Sequence, residues 1–144
     1  MVKEFFFLHL FLLIPIFFYK SLKLVFKNTS KNYLKFISLL IILFPTFRSY
    51  SIWPDPHLLG TLFFVIAIYF YLKFMGNCNN LNNALFNTFF LSLSAYCSPN
   101  FGVFVIFFLF QFYQKLNLSK NLFIIILLNI FLSLTFFYYL FFLE

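Results

Sequence analysis

Charged residues are scarce in this sequence, and so is glycine. Only 9% of its 144 residues are charged, whereas about 25% is usual for a soluble domain. With 64% hydrophobic residues, 29 of them phenylalanine among the 144 positions, the chain is too apolar for water and is predicted to be an integral membrane protein. The 3 glycines form no GxxxG pair, so we expect its helices to pack through large aromatic side chains rather than through close glycine contacts.

Acidic residues and metal-ligand clusters are nearly absent as well. The acids are Glu4, Asp55 and Glu144, and because the first and last lie at the ends of the chain, Asp55 is the one acid expected inside a folded site. No glycine-rich phosphate loop, no metal-spaced cysteines or histidines and no Ser-His-Asp set occurs. The sequence therefore predicts no metal and no cofactor.

Six apolar runs divide the chain and predict an all-α, polytopic transmembrane bundle of about six spans in one region, 1–144. A span needs about 20 residues, so the shorter runs must recruit flanking polar residues. The runs are Phe5–Tyr19, Leu34–Phe47, Leu58–Leu72, Leu81–Tyr96, Phe101–Tyr113 and Leu122–Leu143.

Three local features refine this assignment. The segment from Pro15 to Lys20 is interpreted as the end of the first helix at the membrane interface. The fourth run is interrupted by asparagine, threonine and serine, so we expect it to face the interior of the bundle. Asn129 in the sixth run is expected to hydrogen-bond to a neighbouring helix.

Lysines are distributed unevenly between the connections. Eight lie in connections that follow the first, third and fifth runs, whereas the opposite side has only Lys3 and Arg48. The positive-inside rule then makes the eight-lysine side cytoplasmic and the 48–57 loop extracytoplasmic. Cys78 and Cys97 fall on opposite sides, about a bilayer apart, which excludes a disulfide between them.

The net charge of +7 would indicate a nucleic-acid ligand in a soluble protein. Here the lysines lie between apolar runs, where such residues orient helices and meet anionic lipid headgroups. Membrane lipid is therefore the expected partner, and nucleic acid is not. The oligomeric state stays open.

The stretch from Phe44 to Gly60 gathers most of the residues with chemical potential. Both residues before a proline in Trp53-Pro-Asp55-Pro are kept out of the α region, so a helix can begin only at Pro56. Asp55 is then the N-cap of that helix, and capping alone would explain it. Ser98-Pro99 predicts the same start for the fifth helix.

A second interpretation makes this stretch a binding site. An arginine, a tyrosine, a tryptophan, an acid and a histidine would meet the phosphate of an amphipathic substrate at the membrane surface. Arginine would bind the phosphate, and Asp55 would accept a proton or a hydrogen bond from an acceptor hydroxyl. The alternative is an ordinary interfacial belt. The residues are Arg48, Tyr50, Trp53, Asp55 and His57.

Several short motifs together resemble the middle of a GT-C type integral membrane glycosyltransferase. They are Phe44-Pro45, the loop ending in Asp55, the helix ending in Tyr69-Phe-Tyr-Leu-Lys73, and Ala95-Tyr-Cys-Ser-Pro-Asn100. The resemblance is to the α-1,2-glucosyltransferase of the dolichol pathway and to bacterial relatives that use polyprenyl-phosphate sugars. It implies a catalytic Asp55, substrate contacts from Tyr50 and Asn100, and a location in the bacterial inner membrane or the endoplasmic reticulum. Substrate contacts from Arg48, Trp53 and His57 are expected from the pattern of the 48–57 loop alone.

The match departs from the family in two respects. Cys97 stands where the later family turn has a basic residue, and no acid lies in the first connection, between Lys20 and Lys35. The chain therefore resembles an internal or truncated piece of such an enzyme. The competing hypothesis is a small non-enzymatic membrane protein, an assembly subunit or lipid-binding scaffold; a transporter fragment is disfavoured, because no ionisable side chain lies centrally in a run.

Overall fold

The protein is built from helices throughout the part of the chain that the structure describes. A computed structural model describes the backbone of residues 2–45 and 55–142 and the side chains of residues 10, 12–45 and 55–133. The six α-helices in these ranges are α1 (Val2–Val25), α2 (Lys31–Leu40), α3 (Pro56–Gly76), α4 (Leu81–Cys97), α5 (Phe104–Leu116) and α6 (Lys120–Phe142). A 3-10 helix, Ile41–Leu43, follows α2, and another, Pro99–Val103, precedes α5. The prediction of an all-α fold is confirmed for these residues.

The first helix extends beyond its predicted end. It continues through Pro15 to Val25, so the prediction that it stops between Pro15 and Lys20 is wrong. Proline removes one backbone N–H and usually ends or kinks a helix. Inside a bundle, neighbouring helices can compensate for that loss, and Pro15 is indeed buried.

The polar fourth helix lies inside the bundle, as its sequence predicts. Four of its polar side chains are buried, namely Asn83, Asn87, Thr88 and Ser94. Asn87 Nδ2 donates to the Ala67 carbonyl at 2.8 Å, and Ser94 Oγ donates to the Gly60 carbonyl at 2.7 Å. These two bonds run between helices and fix α4 antiparallel to α3.

Aromatic contacts set the direction of α5 against α3. Phe64 lies 4.7 Å from Phe104, measured between ring centroids, and Phe74 lies 5.2 Å from Phe112. The residue numbers rise together, so α5 runs parallel to α3. The predicted packing through aromatic rings is confirmed here.

Gly60 adds one close glycine contact to the packing through aromatic rings, although it belongs to no GxxxG pair. A Cβ added to Gly60 would lie 3.1 Å from Phe101 Cε2 and 3.3 Å from the Cβ of Cys97. One glycine therefore suffices for a close approach of α3 to the end of α4 and to the turn after it.

The first helix also runs parallel to α3, and the bundle consequently has two distinct ends. Ile14 packs with Leu58, Leu62 and Ile66 in one apolar cluster, and farther along both helices Phe17 meets Tyr69 at 5.8 Å. The connections after α1, α3 and α5 therefore lie at one end, which we call the lysine end. It carries Lys20, Lys23, Lys27, Lys31, Lys35, Lys73, Lys115 and Lys120. The start of α3 and the 98–103 turn form the other end, called the Asp55 end.

One helix in the described part is long and apolar enough to cross a membrane. This is α3, Pro56–Gly76, with 21 residues, or about 31 Å at 1.5 Å per residue. The segment Lys120–Ser133 of α6 is a shorter apolar helix. By length alone, α2 and α5, with 10 and 13 residues, fall below the usual span of about 20.

Candidate functional site

Asp55 is the N-cap of α3. Its backbone is extended, with φ −111° and ψ 126°, as the following proline requires. Its Oδ1 accepts a hydrogen bond from the backbone N–H of His57 at 2.7 Å. The predicted cap is confirmed, and within the described residues this is the hydrogen bond that the Asp55 side chain makes.

His57 lies in the first turn of α3 and is exposed. Its carbonyl accepts a hydrogen bond from Thr61 Oγ1 at 2.8 Å, which ties the first turn of the helix together. The imidazole is therefore presented at the surface of the Asp55 end rather than packed into the core.

The turn between α4 and α5 packs against the beginning of α3. Ser98 is extended, with φ −153° and ψ 112°, and Pro99 begins the 3-10 helix, so the predicted start after Ser98 is correct in position. The Ser98 side chain makes no cap hydrogen bond, and the first turn is 3-10 rather than α. Phe101 of this turn covers Gly60.

The structure brings three of the six predicted site residues to one end of the bundle. Asn100 is exposed in the 3-10 turn, at the same end as Asp55 and His57. Among described residues, no hydrogen bond or ion pair joins these three side chains. The other predicted residues, Arg48, Tyr50 and Trp53, lie outside the described residues.

A cavity of about 430 Å³ lies beside this end, between α4, α5 and α6. It begins at Tyr96, Pro99 and Gly102 and is walled mainly by apolar side chains, among them Ile106 and Ile130. The Tyr96 hydroxyl donates to the Leu132 carbonyl at 2.9 Å and so connects α4 to α6 at its edge.

Asn129 also lines this cavity but does not act as predicted. Its Nδ2 donates to the Ile125 carbonyl of its own helix at 3.1 Å, so the expected bond to a neighbouring helix is not the one it makes. Asn87 makes such a bond instead. An asparagine inside a helix can turn its amide back to the carbonyl four residues earlier. The sequence does not reveal whether that carbonyl or one on a neighbouring helix is nearer.

Two structural residues of this region were not identified from sequence. Gly60 and Ser94 hold the α4–α5 turn against α3, through a close approach and a hydrogen bond. The sequence signal that could have indicated this contact is the position of Gly60, one turn after the helix start and next to a run rich in small polar residues.

The cysteines and possible metal ligands add no further chemistry. Cys78 and Cys97 are free thiols, and they lie toward opposite ends of the α3–α4 pair, in agreement with the excluded disulfide. No group of three or more histidine, cysteine, aspartate or glutamate side chains that could hold a metal occurs in the part of the chain described.

Comparison with protein-family models, with curated proteins and with solved structures found no match to this chain.

Proposed function

We propose that this chain is a multi-pass integral membrane protein whose helices cross the bilayer with the lysine end in the cytoplasm. The observation that supports this is that polar side chains are buried and large apolar ones are exposed, the reverse of a soluble protein. Asn87, Thr88 and Ser94 are at most 1% exposed, while Ile106 and Phe123 are 74% and 66% exposed. A soluble protein of this size rarely exposes so large an apolar surface, whereas lipid is a favourable solvent for it.

The placement of the two ends is testable with engineered cysteines. Asn79 and Asn100 are exposed at the lysine end and the Asp55 end, respectively. In a Cys78→Ser, Cys97→Ser background, we expect a membrane-impermeant thiol reagent to label Asn100→Cys on intact cells and Asn79→Cys only after permeabilisation. Equal labelling of both on intact cells would contradict a spanning bundle, and the reverse pattern would invert its orientation.

At the Asp55 end, we propose that the protein takes part in sugar transfer from a polyprenyl-phosphate donor, as a membrane glycosyltransferase or a piece of one. The contact that supports this proposal joins Gly60 to Cys97 and Phe101. It packs the helix that follows Asp55 against the end of α4 and the turn after it, where the Ala95–Asn100 stretch that resembles the GT-C family lies.

The adjacent cavity offers a place for the apolar part of such a donor. Its walls are almost entirely hydrocarbon, and it begins at Pro99, beside the exposed Asn100. A prenyl chain lying there would place its phosphate near the polar loop at the Asp55 end. In this arrangement Asp55 would accept a proton or a hydrogen bond from the acceptor hydroxyl, and Arg48 would stabilise the charge on the leaving phosphate.

The decisive variants distinguish the capping role of Asp55 from a role in sugar transfer. Asparagine caps a helix about as well as aspartate, so Asp55→Asn keeps the fold of α3 and removes the carboxylate. In the full-length protein we expect Asp55→Asn and Arg48→Ala each to lower sugar transfer from a polyprenyl-phosphate donor at least tenfold, with unchanged protein levels. Transfer at the unaltered rate in both variants would contradict the proposal.

One observation favours a non-enzymatic scaffold as the second candidate. The Asp55 carboxylate already accepts the His57 backbone N–H, which accounts for the residue without any substrate. A scaffold predicts that Asp55→Ala weakens stability by about 1 kcal/mol through loss of the cap, and that Asp55→Asn has no effect on any activity of the complex it belongs to.

A further inference from the structure

At the lysine end, two lysines from different helices each lie against one ring of an aromatic pair. Lys20 Nζ of α1 lies 5.0 Å from the centre of the Phe17 ring. Lys73 Nζ of α3 lies 5.6 Å from the centre of the Tyr69 ring and 6.0 Å from that of Phe70. Phe17 and Tyr69 touch edge to face at 5.8 Å, so the two ammonium groups flank one joined aromatic surface.

Helix geometry explains each half of this arrangement, and tertiary packing joins them. Residues three and four apart share a helix face, which places Lys20 next to Phe17 and Lys73 next to Tyr69. Because α1 and α3 run parallel, both lysines point from the same end of the bundle. Fifty-odd residues of sequence separate the two halves, so the pairing is a product of the fold.

No carboxylate neutralises this pair within the described residues. Both lysines are exposed, and the described acid, Asp55, lies at the opposite end of α3. A cation gains only a small stabilisation from an aromatic face at an exposed site. The two ammonium groups therefore keep almost all of their capacity to bind an anion.

We infer that Lys20 and Lys73 form a binding site for the phosphate of an anionic phospholipid headgroup. Each ammonium group donates hydrogen bonds to phosphate oxygens, while the Phe17 and Tyr69 rings pack against the glycerol and the first carbons of the acyl chains. Aromatic rings of this kind are typical of the level between headgroups and hydrocarbon. The site depends on the proposed membrane placement and is separate from the sugar-transfer end.

An amphipathic ligand fits this position better than a soluble anion does. Above the rings the protein presents lysines, and below them α1 and α3 continue as an apolar surface, with Leu13 and Ile16 exposed on α1. A phospholipid meets both surfaces at once, whereas inorganic phosphate meets only the first.

The test compares two pairs of lysines at the same end of the bundle. Protein in neutral detergent is titrated with phosphatidylglycerol or with zwitterionic phosphatidylcholine, and bound lipid is counted by native mass spectrometry. We expect Lys20→Gln with Lys73→Gln to weaken phosphatidylglycerol binding roughly tenfold or more, since both cationic partners of the phosphate are lost. Lys115→Gln with Lys120→Gln removes the same charge from helices that do not carry the aromatic pair and is expected to weaken binding clearly less.

A charge-preserving variant distinguishes loss of the binding site from a folding defect. Lys20→Arg with Lys73→Arg is expected to keep the affinity of the unaltered protein, and thermal unfolding of every variant is measured in the same detergent. Equal weakening by both glutamine pairs would show diffuse attraction and overturn the site. So would equal binding of both lipids, or displacement of the lipid by millimolar inorganic phosphate. Because the assay is done in detergent, these outcomes are independent of the cysteine-labelling test of membrane placement.

Discussion

The two faces of α3 both pack through rings but differ in their hydrogen bonds. Toward α4, ring pairs such as Phe70 with Phe90, at 5.7 Å, accompany the two buried hydrogen bonds that Asn87 and Ser94 donate to the α3 backbone. Toward α5, ring pairs accompany one bond between side chains, from the Tyr71 hydroxyl to Gln111 Oε1 at 3.3 Å. Hydrogen bonds are directional and fix the register of α4, whereas rings fill space and tolerate small displacements.

The α5 face is expected to contribute the most stability per residue, through Phe112. Phe112 is 1% exposed and contacts both Phe74 and Tyr71. We expect Phe112→Ala to lower the free energy of unfolding by about 3–5 kcal/mol through lost contacts and a cavity, as measured by unfolding in mixed micelles. Phe110→Ala, on the same helix but 55% exposed, is the control and is expected to cost less than about 0.5 kcal/mol. Equal losses would mean that α5 is not held by this face.

A pair of glycine variants tests how closely α3 approaches its neighbours at Gly60. Gly60→Leu places a side chain where Phe101 and Cys97 already lie, and we expect overpacking to cost about 1–3 kcal/mol. Gly76→Leu is the matched control, because nothing lies within 4 Å of a Cβ at that position. If both variants unfold at the same denaturant concentration, the helices are not as close at Gly60 as described.

The hydrogen bond from Asn87 is the next contribution to be tested. Asn87 is fully buried, and its Oδ1 has no hydrogen-bond partner among the described residues. We expect Asn87→Ala to cost about 1–2 kcal/mol, because the gain from removing an unsatisfied oxygen offsets part of the lost bond and packing. Asn82→Ala, exposed on the same helix, should leave the unfolding transition unchanged. A stabilised Asn87→Ala variant would show that the orphan oxygen outweighs the bond.

The smallest effect is expected at Ser94. Its hydroxyl bonds to α3, whereas that of Ser92 bonds to the Thr88 carbonyl of its own helix. Interhelical bonds of this kind average about 0.6 kcal/mol in membranes, so Ser94→Ala should lower stability by that amount and Ser92→Ala by less. The same micelle unfolding assay distinguishes them, and a larger loss at Ser92 would reverse the assignment of the two hydroxyls.

Local sequence signals predicted the helix starts better than the helix ends. The Asp55-Pro56 start follows from the backbone restriction that proline imposes on its predecessor, which needs no tertiary information. The continuation of α1 past Pro15 was missed, because the penalty of an internal proline depends on what surrounds it. The wrong partner for Asn129 has the same origin, since its amide reaches a carbonyl of its own helix as readily as one across the bundle.

Within the candidate site, the sequence named Asp55, His57 and Asn100, whose functional roles stay predictions, but it did not show what brings their segments together. That contact depends on Gly60, whose role appears only when Phe101 is placed against it. The predicted substrate contacts of Arg48, Tyr50 and Trp53 stay predictions as well.

Composition and the apolar runs by themselves predicted that the described residues are helical, because helices satisfy their backbone polar groups within one segment, as apolar surroundings require. The tertiary structure alone decided which polar side chains face one another and which lysines become neighbours. The physical reason is that hydrophobic burial is non-directional and leaves the rotation and register of each helix open. Those are fixed by specific contacts between residues far apart in the chain, such as Ser94 with Gly60 and Phe17 with Tyr69.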